Sequence, residues 1–303
     1  MEDYKIKLAP IVLFTYNRPI HTQQTIEALQ KNEYAKDSDL IVYSDAPKNE
    51  GAIEGVEQTR SYLKKVSGFK SVQILEREKN FGLANNIIDG VSYIIDKYER
   101  IIVLEDDLLT SPYFLRYMNE AMNMYENEDA VISVHGYVYP LKGELPESFF
   151  IRGADCLGWG TWKRGWDLFV RDSNSLLEGI KKRGLKKEFD FSGSYPYTKM
   201  LEEQVKGRVG SWAVRWYASA FLKNKLTLYP NRSLIFHNGS DGSGTNCDVS
   251  DELVVELSKD PILVEYMEAK ENMKARKAFI HYFRYTMLSR KIMSRLKTLI
   301  GKT

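Results

Sequence analysis

Residues 101–108 of the chain read Ile101-Ile102-Val103-Leu104-Glu105-Asp106-Asp107-Leu108. The four apolar residues, three of them β-branched, have the composition of a strand buried on both faces of a parallel sheet. Three acids follow at the carboxyl end of that strand, where open α/β sheets bind their ligands. Adjacent carboxylates repel one another, so a fold that keeps them together commonly pairs them with a cation. The stretch therefore predicts either a cation site or a solvated acidic turn.

Apolar runs of the same kind recur along the chain, with helical patterns between them. This repeated order of strand and helix predicts an α/β fold with a doubly wound, mostly parallel sheet. The predicted strands are 10–15, 40–44, 72–75, 101–104, 130–134, 149–151 and 226–230. The predicted helices are 20–29, with Asn17 as its cap, 51–65, 83–94, 111–125 and 176–188, and residues 158–162 form a tight segment rich in glycine and tryptophan.

The composition is that of an ordinary globular protein. Hydrophobic residues make up 43% and charged residues 28% of the 303 residues, which suffices for a large α/β domain with a sizeable core. The two cysteines are too few for a disulfide framework or a zinc cluster. The first residues lack the pattern of a signal peptide, and no apolar run approaches the ~20 residues of a membrane span. We therefore expect a cytoplasmic protein.

The formal net charge of +2 conceals an asymmetry between the C-terminal tail and the rest of the chain. Nine Lys or Arg residues and no acid follow from Asn272 onward, so the residues before it have a net charge of −7. Such a body is a poor candidate for binding nucleic acid. The tail suits a basic amphipathic helix that either lies on an anionic membrane surface or docks on its own domain or on the partner in a homodimer. Its apolar face would comprise Ile280, Phe283, Met287, Ile292, Leu296 and Leu299.

Three further motifs stand where predicted strands end. Thr15-Tyr16-Asn17-Arg18-Pro19 follows the first strand, Asp45 the second, and Lys79-Asn80-Phe81-Gly82-Leu83 the third. An arginine at the carboxyl end of a strand is well placed to bind phosphate, although Arg18 could also be a solvated loop residue. Asp45 could equally begin a turn, and Asn80 could cap the next helix.

Taken in order, the four motifs resemble those of the GT-A fold glycosyltransferases over roughly residues 8–245. The pattern is similar to that of bacterial surface-polysaccharide enzymes and of the N-acetylglucosaminyltransferase with an E-D-D metal motif. The resemblance implies a nucleotide-sugar-binding half over 1–135, an acceptor-binding half over 136–250 and a helical tail over 251–303. It also implies metal-dependent, inverting transfer of a sugar from a nucleotide donor, most simply a UDP-sugar, to a hydroxyl of a polysaccharide or lipid-linked glycan.

The resemblance also gives roles to individual residues. Asp107 would ligate a divalent ion, and Glu105 and Asp106 would hold sugar hydroxyls or metal-bound waters. If His237 is a second ligand rather than a surface or core histidine, its imidazole favours Mn²⁺ over Mg²⁺. Trp159 and Trp212 either stack on sugar rings or belong to the core. The other expected substrate contacts are Thr15, Tyr16, Asn17, Arg18, Asp45, Asn80 and Gly82.

The general base is the least defined part of the pattern. An inverting transferase needs a carboxylate that takes the proton of the acceptor hydroxyl. Related enzymes have it in a W-D-D or E-D segment, but residues 211–216 contain no acid. Asp155, Asp241 in a glycine-rich loop and Glu203 are the candidates, with Asp155 preferred. A sugar nucleotidyltransferase and a catalytically inactive binding protein are the alternatives, although the former usually has a glycine- and lysine-rich loop that residues 15–19 lack.

Overall fold

The computed structural model describes residues 6–239 and 255–300, with side chains described as far as residue 288. Within these residues, strands β1 to β10 are Ile11–Thr15, Asp39–Ser44, Ser71–Glu76, Arg100–Glu105, Leu108–Thr110, Val131–His135, Ser148–Arg152, Trp159–Trp162, Leu226–Pro230 and Ile235–His237. Helices α1 to α10 are Pro19–Gln30, Ile53–Leu63, Leu83–Tyr98, Phe114–Met124, Lys163–Trp166, Ser173–Lys182, Lys186–Phe189, Tyr197–Val205, Trp212–Leu222 and Met273–Ile300.

The strands form one large sheet and one small ribbon in the part of the chain that the structure describes. The large sheet has eight strands in the order β3-β2-β1-β4-β8-β6-β9-β7, and β5 pairs with β10. Strands β1, β2, β3, β4, β6 and β9 run in one direction, whereas β7 and β8 run in the other. The predicted α/β fold with a mostly parallel sheet is therefore confirmed.

Helices cover both faces of this sheet, because alternate residues of a strand point to opposite sides. Leu13 and Leu104 pack in the apolar cluster that contains α1, α2 and α4. Phe14 and Val103, one position away, pack in the cluster that contains α3, α5 and α9. A third cluster, formed by β7 and β9 with α6 to α10, extends the core under the far edge of the sheet. This double cover explains why strands β1 and β4 contain continuous apolar runs.

The structure differs from the predicted elements at three places. Helix α1 begins at Pro19 with Arg18 at the cap position, so the predicted cap at Asn17 is wrong. The helix predicted over 176–188 is divided into α6 and α7, and Gly184 between them has a left-handed φ of 66° that ends the first helix. Residues 158–162 are mostly strand β8, which runs antiparallel between β4 and β6.

The basic tail begins as a helix that docks on its own domain. Ala275, Phe279 and Phe283 are spaced by one helical turn, and each is at most 2% exposed within the third cluster. The Phe283 ring packs against Tyr195 at a centroid distance of 4.9 Å, so this residue is not available for the membrane-facing stripe predicted from the sequence. Arg276 Nη1 donates to Glu271 Oε1 at 2.7 Å and ties the helix to the preceding segment. Among the described residues, no helix combines the length and apolar composition that a membrane span requires.

Replacing Phe279 by alanine tests this docking. We expect Phe279→Ala to lower the free energy of unfolding by about 3–5 kcal/mol, because the substitution leaves a cavity in the third cluster. The matched control is Tyr285→Ala on the same helix, where the side chain is 69% exposed, and its effect should stay within about 0.5 kcal/mol. Urea denaturation followed by circular dichroism measures both values. Equal effects of the two substitutions would contradict the docked position of α10.

Candidate active site

The three predicted carboxylates lie at the carboxyl end of β4, opposite the loop that follows β1. Arg18 Nη1 is 2.9 Å from Asp107 Oδ2 and 3.8 Å from Asp106 Oδ1. The backbone N–H of Tyr16 donates to Asp106 Oδ2 at 3.2 Å. Because β1 and β4 are adjacent and parallel, the two loops leave the sheet at the same edge. Topology therefore brings together residues that are about 90 positions apart in the sequence.

Strand β10 places His237 beside Asp107. It pairs antiparallel with β5, and His237 lies opposite Leu108 in the register of the ribbon. His237 Nε2 is 3.4 Å from Asp107 Oδ2, and the backbone N–H of Asn238 donates to Asp107 O at 3.0 Å. The two side chains predicted as metal ligands are thus neighbours. Within the described part of the chain, no group of three or more Asp, Glu, His or Cys side chains is arranged to hold a metal ion.

Burial and neighbouring charges change the acidity of the three carboxyl groups. Burial, followed by the charges of Asp107 and Asp106, raises the pKa of Glu105 to about 8. Burial and the charge of Asp107 raise the pKa of Asp106 to about 7. Burial acts in the same direction on Asp107, but the hydrogen bond and charge of His237 and those of Arg18 outweigh it and lower the pKa. Asp107 therefore keeps its negative charge most readily, as a ligand of a cation must.

Arg18 provides a positive charge next to these acids. Its side chain is 12% exposed, and its Nε and Nη2 atoms are buried without a hydrogen-bond partner among the described residues. Buried donors without partners are unfavourable by roughly 1–3 kcal/mol each. The planar guanidinium presents its donors as a fork that matches phosphate or carboxylate oxygens. The position of Arg18 is thus suited to an anionic ligand that is not part of the chain.

Asp45 lies at the end of β2 and holds the loop that precedes α3. One of its oxygens, Oδ1, accepts from the backbone N–H groups of Ala46 and Phe81, both at 2.9 Å. The other, Oδ2, accepts from the Gly82 N–H at 3.0 Å and from Asn80 Nδ2 at 3.2 Å. Asn80 Nδ2 also donates to Ala46 O at 2.7 Å. The predicted contacts Asp45, Asn80 and Gly82 therefore form one hydrogen-bonded unit.

Tyr16 connects the loop that follows β2 to the carboxylates. Its hydroxyl accepts from the backbone N–H of Lys48 at 3.0 Å, while its own backbone N–H donates to Asp106. Thr15 is buried and its hydroxyl donates to the backbone of β2, whereas Asn17 is half-buried at the start of the loop. The predicted donor contacts thus line one edge of the sheet from β4 to β2.

Two arginines that the sequence pattern did not single out stabilise the same edge. Arg60 Nη2 donates to Arg77 O at 2.9 Å and to Asp45 O at 3.5 Å, so it joins the ends of β3 and β2. The guanidinium of Arg77 lies over the rings of Tyr43 and Phe81, at 4.7 and 4.2 Å from the centroids. Arg77 directly follows β3, but the predicted motif begins two residues later at Lys79. Only the packing of α2 on the sheet indicates the role of Arg60.

Trp159 and Trp212 do not lie where a sugar could stack on them, which corrects the substrate contacts predicted for them. They are 0% and 3% exposed, and their rings stack on each other at a centroid distance of 5.3 Å. Trp166 and Trp216 complete an aromatic cluster in the core beside α3. The alternative of core tryptophans is therefore the observed one, consistent with the large apolar area that an indole ring buries.

The candidates for the general base occupy different environments. Asp155 Oδ2 accepts from the Tyr229 hydroxyl at 3.2 Å, and the residue lines a small cavity walled by aromatic side chains. Glu203 lies on α8 and forms surface ion pairs of 3.0 Å with both Lys206 and Arg208. Asp241 lies outside the described residues.

The solved structures to which this chain is similar have little sequence identity to it. The crystal structure of S. aureus TarS is 12% identical, with a TM-score of 0.40, over 77% of this chain and 37% of that chain. TarS 1-349 in complex with UDP-GlcNAc is 10% identical, with a TM-score of 0.39, over 76% and 58%. Mannosyltransferase PcManGT from Pyrobaculum calidifontis, in complex with GDP-Man and Mn²⁺, is 10% identical, with a TM-score of 0.36, over 72% and 70%. This chain thus spans less than two thirds of these TarS chains.

Two further comparisons concern the sequence of the chain, one with curated proteins and one with models of protein families. A comparison with the curated proteins found no match. The model described as Glycosyl transferase family 2, however, matches residues 11–169, which is more than half of the chain. The matched range runs from β1 to beyond β8 and includes Arg18, Asp45 and the three carboxylates after β4. The chain therefore belongs to glycosyl transferase family 2, and it has an α/β fold of the GT-A type.

Proposed function

We propose that this chain transfers a sugar, with inversion, from a nucleotide-sugar donor to a hydroxyl group of a glycan acceptor. The observation that supports this best is the grouping of Arg18 and His237 within 3.4 Å of one carboxylate oxygen of Asp107. A nucleoside diphosphate leaves as a highly charged anion, so a site for it needs positive charge and neutral or cationic hydrogen-bond donors. Arginine and histidine beside a strand-end aspartate provide these groups.

The residues present fit a divalent metal ion. Two ligand atoms bound at about 2.1 Å to an octahedral ion lie about 3 Å apart, and Asp107 Oδ2 is 3.4 Å from His237 Nε2. Two protein ligands suffice where substrate phosphates and waters occupy the other positions. The imidazole in the set favours Mn²⁺ over Mg²⁺. When bound, the ion would stabilise the negative charge that develops on the departing diphosphate.

The arrangement along the sheet edge supports one orientation of the donor. The diphosphate would lie beside Arg18, whose unpartnered Nε and Nη2 atoms can donate to its oxygens. The nucleoside would extend toward the end of β2, because Tyr16 is bonded both to Asp106 and to Lys48 in the loop that follows β2. A UDP-sugar is the simplest donor of this class.

Asp155 is the residue that we propose as general base. The loop that follows it approaches the metal-binding side of the site, since the Leu157 N–H donates to His135 Nε2 at 3.0 Å and Gly158 contacts Ile235 at the start of β10. In this role the Asp155 carboxylate would take the proton of the acceptor hydroxyl as the oxygen attacks the anomeric carbon.

Replacing Asp107 tests the donor site. We expect Asp107→Ala to lower nucleotide-sugar hydrolysis about 100-fold, because the substitution removes a group that stabilises the leaving diphosphate. Released nucleotide is measured with UDP-, GDP- and TDP-sugars, with and without Mn²⁺. The matched control is Asp37→Ala, which removes an exposed acid away from the site. Wild-type activity of Asp107→Ala, or a wild-type chain that neither binds nor cleaves any donor, would contradict the proposal.

A second substitution separates acceptor activation from donor binding. Asp155→Asn should lower transfer to a panel of alkyl glycosides by about 100-fold, the typical contribution of a general base. Binding of the donor should be unchanged, since Asp155 lies outside the nucleotide edge. Glu203→Gln serves as the control, because Glu203 is paired at the surface of α8. Loss of transfer in the control but not in Asp155→Asn would contradict the assignment.

We also propose that the outer side of α10 contacts an anionic lipid surface, where a lipid-linked acceptor would be anchored. The inner side is docked through Phe279 and Phe283, whereas Tyr285 and Leu288 are 69% and 58% exposed. The sequence from Asn272 onward contains nine Lys or Arg residues and no acid. A helix with basic and exposed apolar side chains binds the headgroup region of anionic membranes.

Truncation after Leu288 tests the lipid contact and leaves the docked part of α10 in place. It removes five basic residues, each of which contributes about 1 kcal/mol near an anionic surface, so binding to phosphatidylserine vesicles should fall at least about tenfold. Co-sedimentation measures the bound fraction, and phosphatidylcholine vesicles are the control. Undiminished binding by the truncated chain would contradict the lipid contact.

A further inference from the structure

We infer that His135 is a positioning residue for acceptor activation, which holds the loop of Asp155 on the end of β6. The inference rests on the proposed function, because it takes Asp155 as the general base. His135 is the last residue of β6 and is 0% exposed. A side chain that is buried in this way can affect the reaction only through the groups that it contacts.

Both ring nitrogens of His135 form hydrogen bonds. Nδ1 is 2.7 Å from Tyr137 O, and the Leu157 N–H donates to Nε2 at 3.0 Å. Because a carbonyl oxygen can only accept, the proton of the neutral ring lies on Nδ1, and the lone pair of Nε2 faces Leu157. Burial lowers the pKa of the imidazole and so favours this neutral form. One tautomer of His135 therefore links the end of β6 to the loop.

The bond to Leu157 fixes the loop two positions after Asp155. Between them, the Cys156 N–H donates to Asp155 Oδ1 at 2.9 Å, so the backbone of the loop holds one oxygen of the carboxylate. One position further on, Gly158 O accepts from the Gly136 N–H at 2.7 Å. The loop is thus bonded twice to the end of β6, directly after the residue proposed as general base.

The other oxygen of the carboxylate is held by a tyrosine that also contacts His135. The Tyr229 hydroxyl donates to Asp155 Oδ2 at 3.2 Å, and the Tyr229 ring lies edge-on to the imidazole at a centroid distance of 4.9 Å. Within the described part of the chain, each oxygen of Asp155 accepts one hydrogen bond. An ionised carboxylate has about four lone-pair sites, so it keeps the capacity to take the proton of a hydroxyl. His135 therefore contacts both groups that orient the carboxylate without occupying its remaining sites.

Release of the loop should move the base and leave donor binding intact. The groups proposed to hold the donor, Arg18, Asp107 and His237, belong to other segments of the chain, beside β1, β4 and β10. A displacement of about 1 Å can lower the rate of a reaction about 100-fold. A displaced Asp155 should therefore lower kcat of transfer and not raise the KM for the donor.

The substitution His135→Asn tests the inference, because the shorter amide can still donate to Tyr137 O but ends before Leu157. We expect kcat of transfer to alkyl glycosides to fall about 10- to 100-fold, while the KM for the donor changes less than about twofold. Calorimetric titration with UDP-, GDP- and TDP-sugars counts the binding sites and corrects kcat for inactive chains. His135→Gln, whose longer amide can accept from the Leu157 N–H, should recover most of the lost kcat.

Asn119→Leu is the matched control for the loss of a buried hydrogen-bonding side chain. Asn119 is 0% exposed, accepts from the Ala9 N–H and donates to Leu115 O, both at 2.8 Å, so it forms the same pair of bonds as His135. Its substitution should lower the melting temperature to a similar extent but leave the corrected kcat unchanged. An equal loss of corrected kcat in both variants, or a wild-type kcat in His135→Asn, would overturn the inference.

A measurement on the wild-type chain decides the question even if the variants do not fold. We expect ¹⁵N NMR of the histidine side chains to show His135 with a protonated Nδ1 and an unprotonated Nε2 at neutral pH. A proton on Nε2 would overturn the inference, since that nitrogen could not accept from Leu157. Wild-type transfer by Asp155→Asn would instead contradict the proposed base itself, so the two failures are distinguishable.

Discussion

The contact of Arg18 with Asp106 and Asp107 is the interaction on which the sheet edge at the ends of β1 and β4 depends. Three successive acids at the end of β4 are buried enough to repel one another strongly, and a buried charge without a partner is unfavourable. The compensating charge comes from the loop after β1, directly before Pro19 begins α1. Because β1 lies beside β4, that loop lies next to the acids, so the order of these two strands serves charge pairing as well as packing.

Asp107 and Asp45 lie at the same sheet edge but have different hydrogen-bond partners. This difference indicates that the two aspartates have different roles. Asp107 is bonded to the side chains of Arg18 and His237, which can rearrange around an ion or a phosphate. Asp45 is bonded mainly to backbone N–H groups whose positions are set by the fold. Of these two aspartates, Asp107 is the one with unsatisfied donors beside it among the described residues, at Arg18, and natural proteins tolerate such incomplete pairing chiefly where they bind ligands. Proximity to the site is therefore a weaker guide to ligand contact than the remaining hydrogen-bonding capacity.

The sequence alone predicts the features that follow from an apolar run and from the rule that parallel strands end at the same edge of a sheet. Apolar runs predicted the parallel strands, and residues after those runs had to meet at one edge, as Arg18 and Asp107 do. Features that depend on packing between distant elements were not accessible in this way. The burial of Trp159 and the docking of Phe279 follow from how α9 and α10 cover the sheet, and no local pattern contains that information. Strand β8 was missed because two tryptophans and a glycine do not form an aliphatic run.

The cavity beside Asp155 is built differently from the edge at β1 and β4, since helices α8 to α10 contribute most of the cluster around it. Phe279 and Phe283 of α10 line the same small cavity as Asp155, together with tyrosines of β9 and α8. The helix proposed to contact lipid is therefore packed against the loop that contains the proposed base. A helix held by buried aromatic rings moves with its domain, because such packing resists independent displacement. Attachment of α10 to a membrane would consequently fix the orientation of Asp155 relative to the surface from which a lipid-linked acceptor projects.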